Sequence, residues 1–211
     1  MGRTAGGGVS TIKSSLGRMK PTAAASAGSA TPYEATMPPL HGSCHKGSSK
    51  EVRKLVSMGE DVNEQTKSGM TPLMCAVKVL GPKDGDDRIV TYLLENKANV
   101  NTQDGMGDTA LHIACCSKDP TNALLPKGFF KLTQMLIDGK ADVNLCNKIG
   151  QTALHRAAQR GNHAMAEQLI AAGVDLEVID RCGRTAMQVA FDDEMCVALQ
   201  PPPLTPDEEE T

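Results

Sequence analysis

Gly150-Gln151-Thr152-Ala153-Leu154-His155-Arg156-Ala157-Ala158, followed by Gly161, by Leu169-Ile170 and by Gly173-Val174-Asp175, is the stretch on which the fold turns. A Thr ahead of a small, apolar run starts a helix, its hydroxyl capping the first turn. Gly161 turns the chain after that helix, where left-handed backbone is cheap only for glycine. Leu169-Ile170 then marks the apolar side of a second helix. One such helix pair cannot bury its own apolar face, so copies of it are expected on either side.

The copies are there. The helix start recurs as Thr71-Pro72-Leu73-Met74, Thr109-Ala110-Leu111-His112 and Thr185-Ala186-Met187-Gln188, with an earlier Pro39-Leu40-His41. A second landmark, Asp142-Val143-Asn144, recurs as Asp61-Val62-Asn63, Asn99-Val100-Asn101 and Asp175-Leu176-Glu177. Both series are spaced by 38, 43 and 33 residues. A third agrees with them: Gly47, Gly85, Gly128 and Gly161 each precede by eight residues an apolar pair, Leu55-Val56, Leu93-Leu94, Leu136-Ile137 and Leu169-Ile170. These glycines are expected to turn the chain between the two helices of a unit. Gly69, Gly107, Gly150 and Gly183, each two residues before the capping Thr, are expected to serve a projecting hairpin turn. Small residues such as Ala114-Cys115 and Ala157-Ala158 let paired helices approach closely.

On these residues the chain resembles the ankyrin-repeat family, whose unit runs to ~33 residues with the signature T-P-L-H-x-A. The resemblance spans about residues 34–200, with four recognisable repeats and a truncated fifth. It implies an all-α solenoid of helix–loop–helix units with projecting hairpin loops. It also implies a structural role for His41, His112 and His155, as signature histidines that hydrogen-bond the backbone of a neighbouring loop. Met74 and Gln188 replace them in units two and five, which are expected to be held more loosely.

Two spacings exceed the ~33-residue period. They imply insertions around Gly81–Asp87 and Ser117–Pro126, both between the first and second helix of their unit and so on one side of the stack. The last unit is expected to keep its first helix through Phe191, its second being cut short before Pro201, with fraying over 186–200.

Outside the repeats lie two biased segments. Residues 1–33 hold Arg3, Lys13, Arg18 and Lys20, no acid, and many Gly, Ala, Ser and Thr, a composition that cannot bury enough apolar area to order itself. Val9, Ile12, Leu16 and Met19 fall at helical spacing within it, which is also what a transit peptide looks like, although Gly17 interrupts the helix. Residues 201–211 read as a disordered Pro-rich acidic tail, with Leu204-Thr205-Pro206 resembling a proline-directed phosphorylation site.

Composition narrows the function. The net charge of −3 argues against a general polyanion binder, and no apolar run is long enough for a transmembrane helix. There is no Trp, and Tyr33, Tyr92, Phe129, Phe130 and Phe191 are the only aromatics, too few for recognition of bases by stacking. Seven cysteines, an odd number without a CxxC, read as reduced thiols rather than as a disulfide framework or zinc site. His41 and His45 flank Cys44 at a metal-like spacing, but the repeat accounts for His41 without a metal. No phosphate loop, GxSxG, HExxH or paired metal motif is present, so no catalytic residue, metal or cofactor is expected.

The expected function is therefore a non-catalytic protein–protein interaction module, an adaptor, scaffold or inhibitor, monomeric by itself and cytoplasmic, with the nucleus as the alternative. The alternative is a structural or assembly subunit of a larger complex, organellar if residues 1–33 are cleaved. The partner surface follows by position. At the hairpin tips it comprises Lys67, Met70, Asp104, Met106, Lys148, Ile149, Arg181 and Arg184. On the first helices it comprises Cys75, Lys78, Ile113, Cys116, Arg156 and Gln159 as exposed positions. Lys148, Arg156, Arg181 and Arg184 together suggest a locally basic groove suited to an acidic partner segment.

Overall fold

The structure, a computed structural model, describes residues 37–79, 87–116, 127–190 and 193–200. The two terminal segments read at 1–33 and 201–211, the insertion at 117–126 and all but Asp87 of the insertion at 81–87 lie outside the described residues.

The described residues are all-α, with nine helices, one 3-10 turn and no strand. The helices are α1 (Pro39–His45), α2 (Ser49–Ser57), α3 (Pro72–Val79), α4 (Arg88–Glu95), α5 (Ala110–Cys116), α6 (Lys127–Asp138), α7 (Ala153–Arg160), α8 (His163–Ala171) and α9 (Asp193–Ala198). The 3-10 turn, Met187–Val189, precedes α9. Two rows result. In the first, α1, α3, α5, α7 and the 3-10 turn pack in succession; in the second, α2 packs on α4, and α6 on α8 on α9. Each second-row helix also packs on its first-row predecessor.

Side-chain size explains the rows. First-row helices carry buried small residues at their contacts, Cys44, Ala76, Ala114, Cys115, Ala157 and Ala158, so neighbouring backbones come close. Second-row helices bury larger residues on one side, such as Ile89, Val90, Leu93, Leu136 and Leu169, and show charge on the other, as Arg53 and Lys54 do on α2. The Arg53 guanidinium lies 4.9 Å from the centroid of the Tyr92 ring, a cation–π contact that joins α2 to α4. Between α4 and α6 the second row is looser. There an open cleft of about 330 Å³ is lined by Leu94, Glu95, Met135 and Asp138, with Lys131 paired to Asp87 at one end.

Three expectations need correction. Gly128 is not a turn between helices: α6 has 12 residues against eight or nine in α2, α4 and α8, and Gly128 sits in its first turn. The last unit does not keep its first helix as far as Ala190, and Phe191, where it was expected to end, lies outside the described residues. One 3-10 turn forms and the chain extends at Ala190, where ψ is 143°. Cys75 is not exposed, because α3 lies between α1 and α5 and buries every residue from Pro72 to Val77. A helix that is apolar all round is a buried helix.

Candidate protein-binding surface

Four hairpin tips project along one edge: Thr66–Met70, Asp104–Asp108, Asn147–Gln151 and Asp180–Arg184. In each, the first residue's N–H bonds the last residue's carbonyl, as from Asp104 to Asp108 at 2.9 Å and from Asn147 to Gln151 at 2.9 Å. The opening side chain locks the turn from within. Asp104 Oδ1 accepts the N–H groups of Met106 (2.7 Å) and Asp108 (3.0 Å), and Asn147 Oδ1 those of Ile149 (3.1 Å) and Gln151 (3.0 Å). This is an Asx turn, the reason Asp and Asn open such loops.

The tips are also tied to one another. Gly105 N–H donates to the Ser68 carbonyl at 2.7 Å, Lys148 to Met106 at 3.0 Å, and Arg181 to Ile149 at 3.0 Å. This ladder explains the glycine in the first three tips, Gly69, Gly107 and Gly150, whereas a Cβ at Gly183 would meet nothing within 4 Å. Gly107 has φ +79°, and a Cβ there would stand 2.7 Å from the backbone nitrogen of Lys148. Glycine is thus required twice, for its backbone conformation and for the approach of the next tip.

Behind the tips runs a second set of ties. Asn63 Oδ1 accepts the Asn99 N–H at 2.7 Å while its Nδ2 donates to the Lys97 carbonyl at 3.2 Å. Asn101 does the same with Asp142 (2.8 Å) and Lys140 (3.2 Å), and Asn144 Oδ1 accepts from Asp175 (2.8 Å). The recurrence of Val-Asn is visible in sequence. That its Asn reaches into the next repeat is not, since each partner lies 31 to 41 residues away.

The histidines make the third tie. His112 Nε2 donates to the Gln151 carbonyl at 2.9 Å, His155 to Arg184 at 3.1 Å and His41 to Met70 at 3.0 Å. A carbonyl acceptor places the proton on Nε2, so Nδ1 is free to accept. It accepts from the capping Thr: Thr109 N–H reaches His112 Nδ1 at 3.2 Å, and Thr152 N–H reaches His155 Nδ1 at 3.3 Å, the latter within a capping box. His41 Nδ1 has no partner among the described residues, because Pro38 occupies the cap position with neither hydroxyl nor N–H. Where His is replaced, half of the device persists. Thr71 N–H meets Met74 Sδ at 3.5 Å and Thr185 N–H meets Gln188 Oε1 at 3.0 Å, but neither residue makes the bond to the following loop. Burial is the main cause that lowers the pKa of His112 and His155 below the ordinary 6.5, so both are neutral.

The expected partner residues sort clearly on this frame. Lys67, Met106, Lys148, Ile149, Arg181 and Arg184 are exposed on the tips, Met106 at 62% and Ile149 at 44%. Met70 and Asp104 are half-buried; the carbonyl of Met70 is taken by His41 and the carboxylate of Asp104 by its own turn. Ile113, Cys116, Arg156 and Gln159 are half-buried on α5 and α7, and Lys78 is exposed on α3.

The cations are less available than their number suggests. Arg156 Nη2 is 3.1 Å from Asp108 Oδ2, and Arg184 Nη2 is 2.8 Å from Asp180 Oδ2. Lys148 Nζ donates to the Gly105 carbonyl at 2.7 Å. The hydrogen bond from Arg184 is the first cause that brings Asp180 down to about 2. Asp108, further fixed by Asn147 Nδ2 at 2.8 Å, is the residue that sequence alone did not supply; nothing local marks it, its partner lying 48 residues on.

Among the described residues no group of His, Cys, Asp and Glu is placed to hold a metal ion, and no helix is long and apolar enough to cross a membrane. Burial pushes the thiols of Cys44 and Cys115 up to about 12 and that of Cys75 up to about 11, so they are small core residues. Residues 40–131 and 123–199 match the family model for ankyrin repeats in three copies.

Proposed function

The chain belongs to the ankyrin-repeat family, and from that premise we propose that it acts as an adaptor, scaffold or inhibitor through the row of hairpin tips. Ankyrin repeats are in general protein–protein interaction modules, and the family is typically non-catalytic. The observation that carries the finer reading is the tip ladder. It holds Lys67, Met106, Lys148, Ile149 and Arg181 on one edge whose backbone is hydrogen-bonded from tip to tip. Such an edge is ordered before a partner arrives, which lowers the entropic cost of binding. It alternates cationic heads with exposed apolar side chains, a pattern that suits an acidic partner segment with apolar residues between its carboxylates.

Affinity capture with the full chain as bait tests this. Met106→Glu with Ile149→Glu changes two exposed side chains and is expected to abolish capture with the melting temperature unchanged. Lys67→Glu with Arg181→Glu is expected to weaken it in a salt-dependent way. A partner retained by both double variants overturns the assignment to the tips. Reversal of Arg156 or Arg184 is unsuitable here, because each would set a carboxylate against Asp108 or Asp180 and so probe stability.

A further inference from the structure

We infer that the C-terminal end of the stack is a second docking surface, for an extended segment of a partner protein that brings an apolar side chain flanked by Lys or Arg. The repeat-to-repeat interface continues to this end of the stack. Each of the three ties recurs along the stack, and among the described residues each ends at the fifth unit with its outgoing half in place. In the tip ladder the carbonyls of Ser68, Met106 and Ile149 each receive the next tip's N–H. The equivalent carbonyl, Cys182, receives none from the described residues. In the loop series, Asn63, Asn101 and Asn144 each accept the next repeat's N–H. The equivalent residue is Glu177, exposed, with no partner for its carboxylate among the described residues. In the histidine series the equivalent is Gln188, whose Oε1 serves its own cap while its NH₂ group has no partner among the described residues.

Between these groups lies a recess of about 250 Å³, lined by Leu176, Glu177, Ala186, Met187, Gln188 and Leu199. Ile179 extends the apolar area. It stands where Gln65 and Gln103 reach across to the Gln103 and Cys146 carbonyls of the following repeat, and it is 58% exposed. The end thus offers a carbonyl, a carboxylate and an amide NH₂ around an apolar floor. A strand-like backbone with free N–H groups matches the first two, its carbonyl matches the third, and the change from Asn to Glu177 adds a charge that selects Lys or Arg. The surface shares only the Cys182 carbonyl of the last tip with the tip row, and none of the side chains assigned to partner binding there, so its failure leaves the tip reading untouched.

The natural probe is the chain's own equivalent loop. A backbone-cyclised peptide of the sequence 141–151, carrying Asp142→Lys to meet Glu177 and Cys146→Ser, is titrated into the ¹⁵N-labelled full chain. Saturable amide shifts confined to 176–188 and 195–199 are expected. Affinity should fall at least about tenfold in Glu177→Lys, since like charges across an interface are penalised, and also in Ile179→Glu, both with unchanged melting. No shifts, or shifts centred on the first three tips at 66–70, 104–108 and 147–151, overturn the proposal. Binding that emerges only after deletion of residues 201–211 overturns it too, and makes the tail the occupant.

Discussion

A buried histidine must be neutral, and His112 and His155 couple that requirement to acidity. In the unfolded chain each takes a proton at its ordinary 6.5; in the fold, burial holds the pKa lower. The unfolded state therefore binds more protons as pH falls, so the contribution of these residues is complete above about pH 6.5 and declines below it. Melting temperature is expected to be flat above neutrality and to drop through pH 6 and 5, with a second loss below pH 3.8, where Asp180 starts to protonate in the unfolded state ahead of the folded one. A His112→Gln, His155→Gln double variant should flatten the first step only. The same reasoning predicts a gain. The carbonyl of Asp108 is placed as those of Met70, Gln151 and Arg184 are, yet Met74 cannot donate to it. Met74→His should add about 1 kcal/mol, the usual net value of a hydrogen bond, at pH 8 and lose the gain in acid; equilibrium urea unfolding at both pH values checks it. Thiol chemistry follows burial. A thiol reagent should modify Cys146 and Cys182 in the native protein, and Cys44, Cys75 and Cys115 only in denaturant, as read by mass spectrometry. The signature histidines were legible in sequence through the resemblance to T-P-L-H-x-A, on whose fourth position His112 and His155 fall, three residues after Thr109 and Thr152. Asp108 was not, because its role is set by a side chain arriving from another repeat.

At the scale of single elements, the tips are the most constrained part of the chain. Gly107 and Gly47 have similar backbones, with φ +79° and +71°, but a Cβ at Gly47 would meet nothing within 4 Å. Alanine at Gly47 should therefore cost roughly 1–2 kcal/mol, the left-handed penalty alone. Alanine at Gly107 should add at least about 1 kcal/mol to that, because the Lys148–Met106 hydrogen bond must open to admit the methyl group. Paired urea melts of the two variants isolate the tip-to-tip approach. Helix identity was readable from apolar spacing and caps, and helix ends less so. Gly128 was placed in a turn by analogy with Gly47 and Gly161, whereas α6 begins early enough to include it. The last first-row element was expected to be a helix from its Thr185 start, but it keeps a single turn, Met187–Val189, with an extended Ala190 behind it.

For the whole molecule, stability is a sum over neighbouring units, so the end with fewest neighbours opens first. Amide exchange is expected to be fastest over 186–200 and slowest in α5 and α7, whose buried faces are covered on both sides; uniform protection along the array would contradict this. The stack as a fold was legible in three landmarks in register. The looser packing of the second row at α4 and α6 was not, because it depends on where longer connections let two helices separate. It has a mechanical consequence. The edge of tips is a stitched seam that resists stretching, and the opposite row has one weak joint. Flexing of the array would concentrate at that joint, and the seam of tips from Lys67 to Arg181 would bend rather than stretch as the cleft closes or gapes. A small molecule lodged between Leu94 and Met135 would act as a wedge, setting the curvature of the distant edge without touching it.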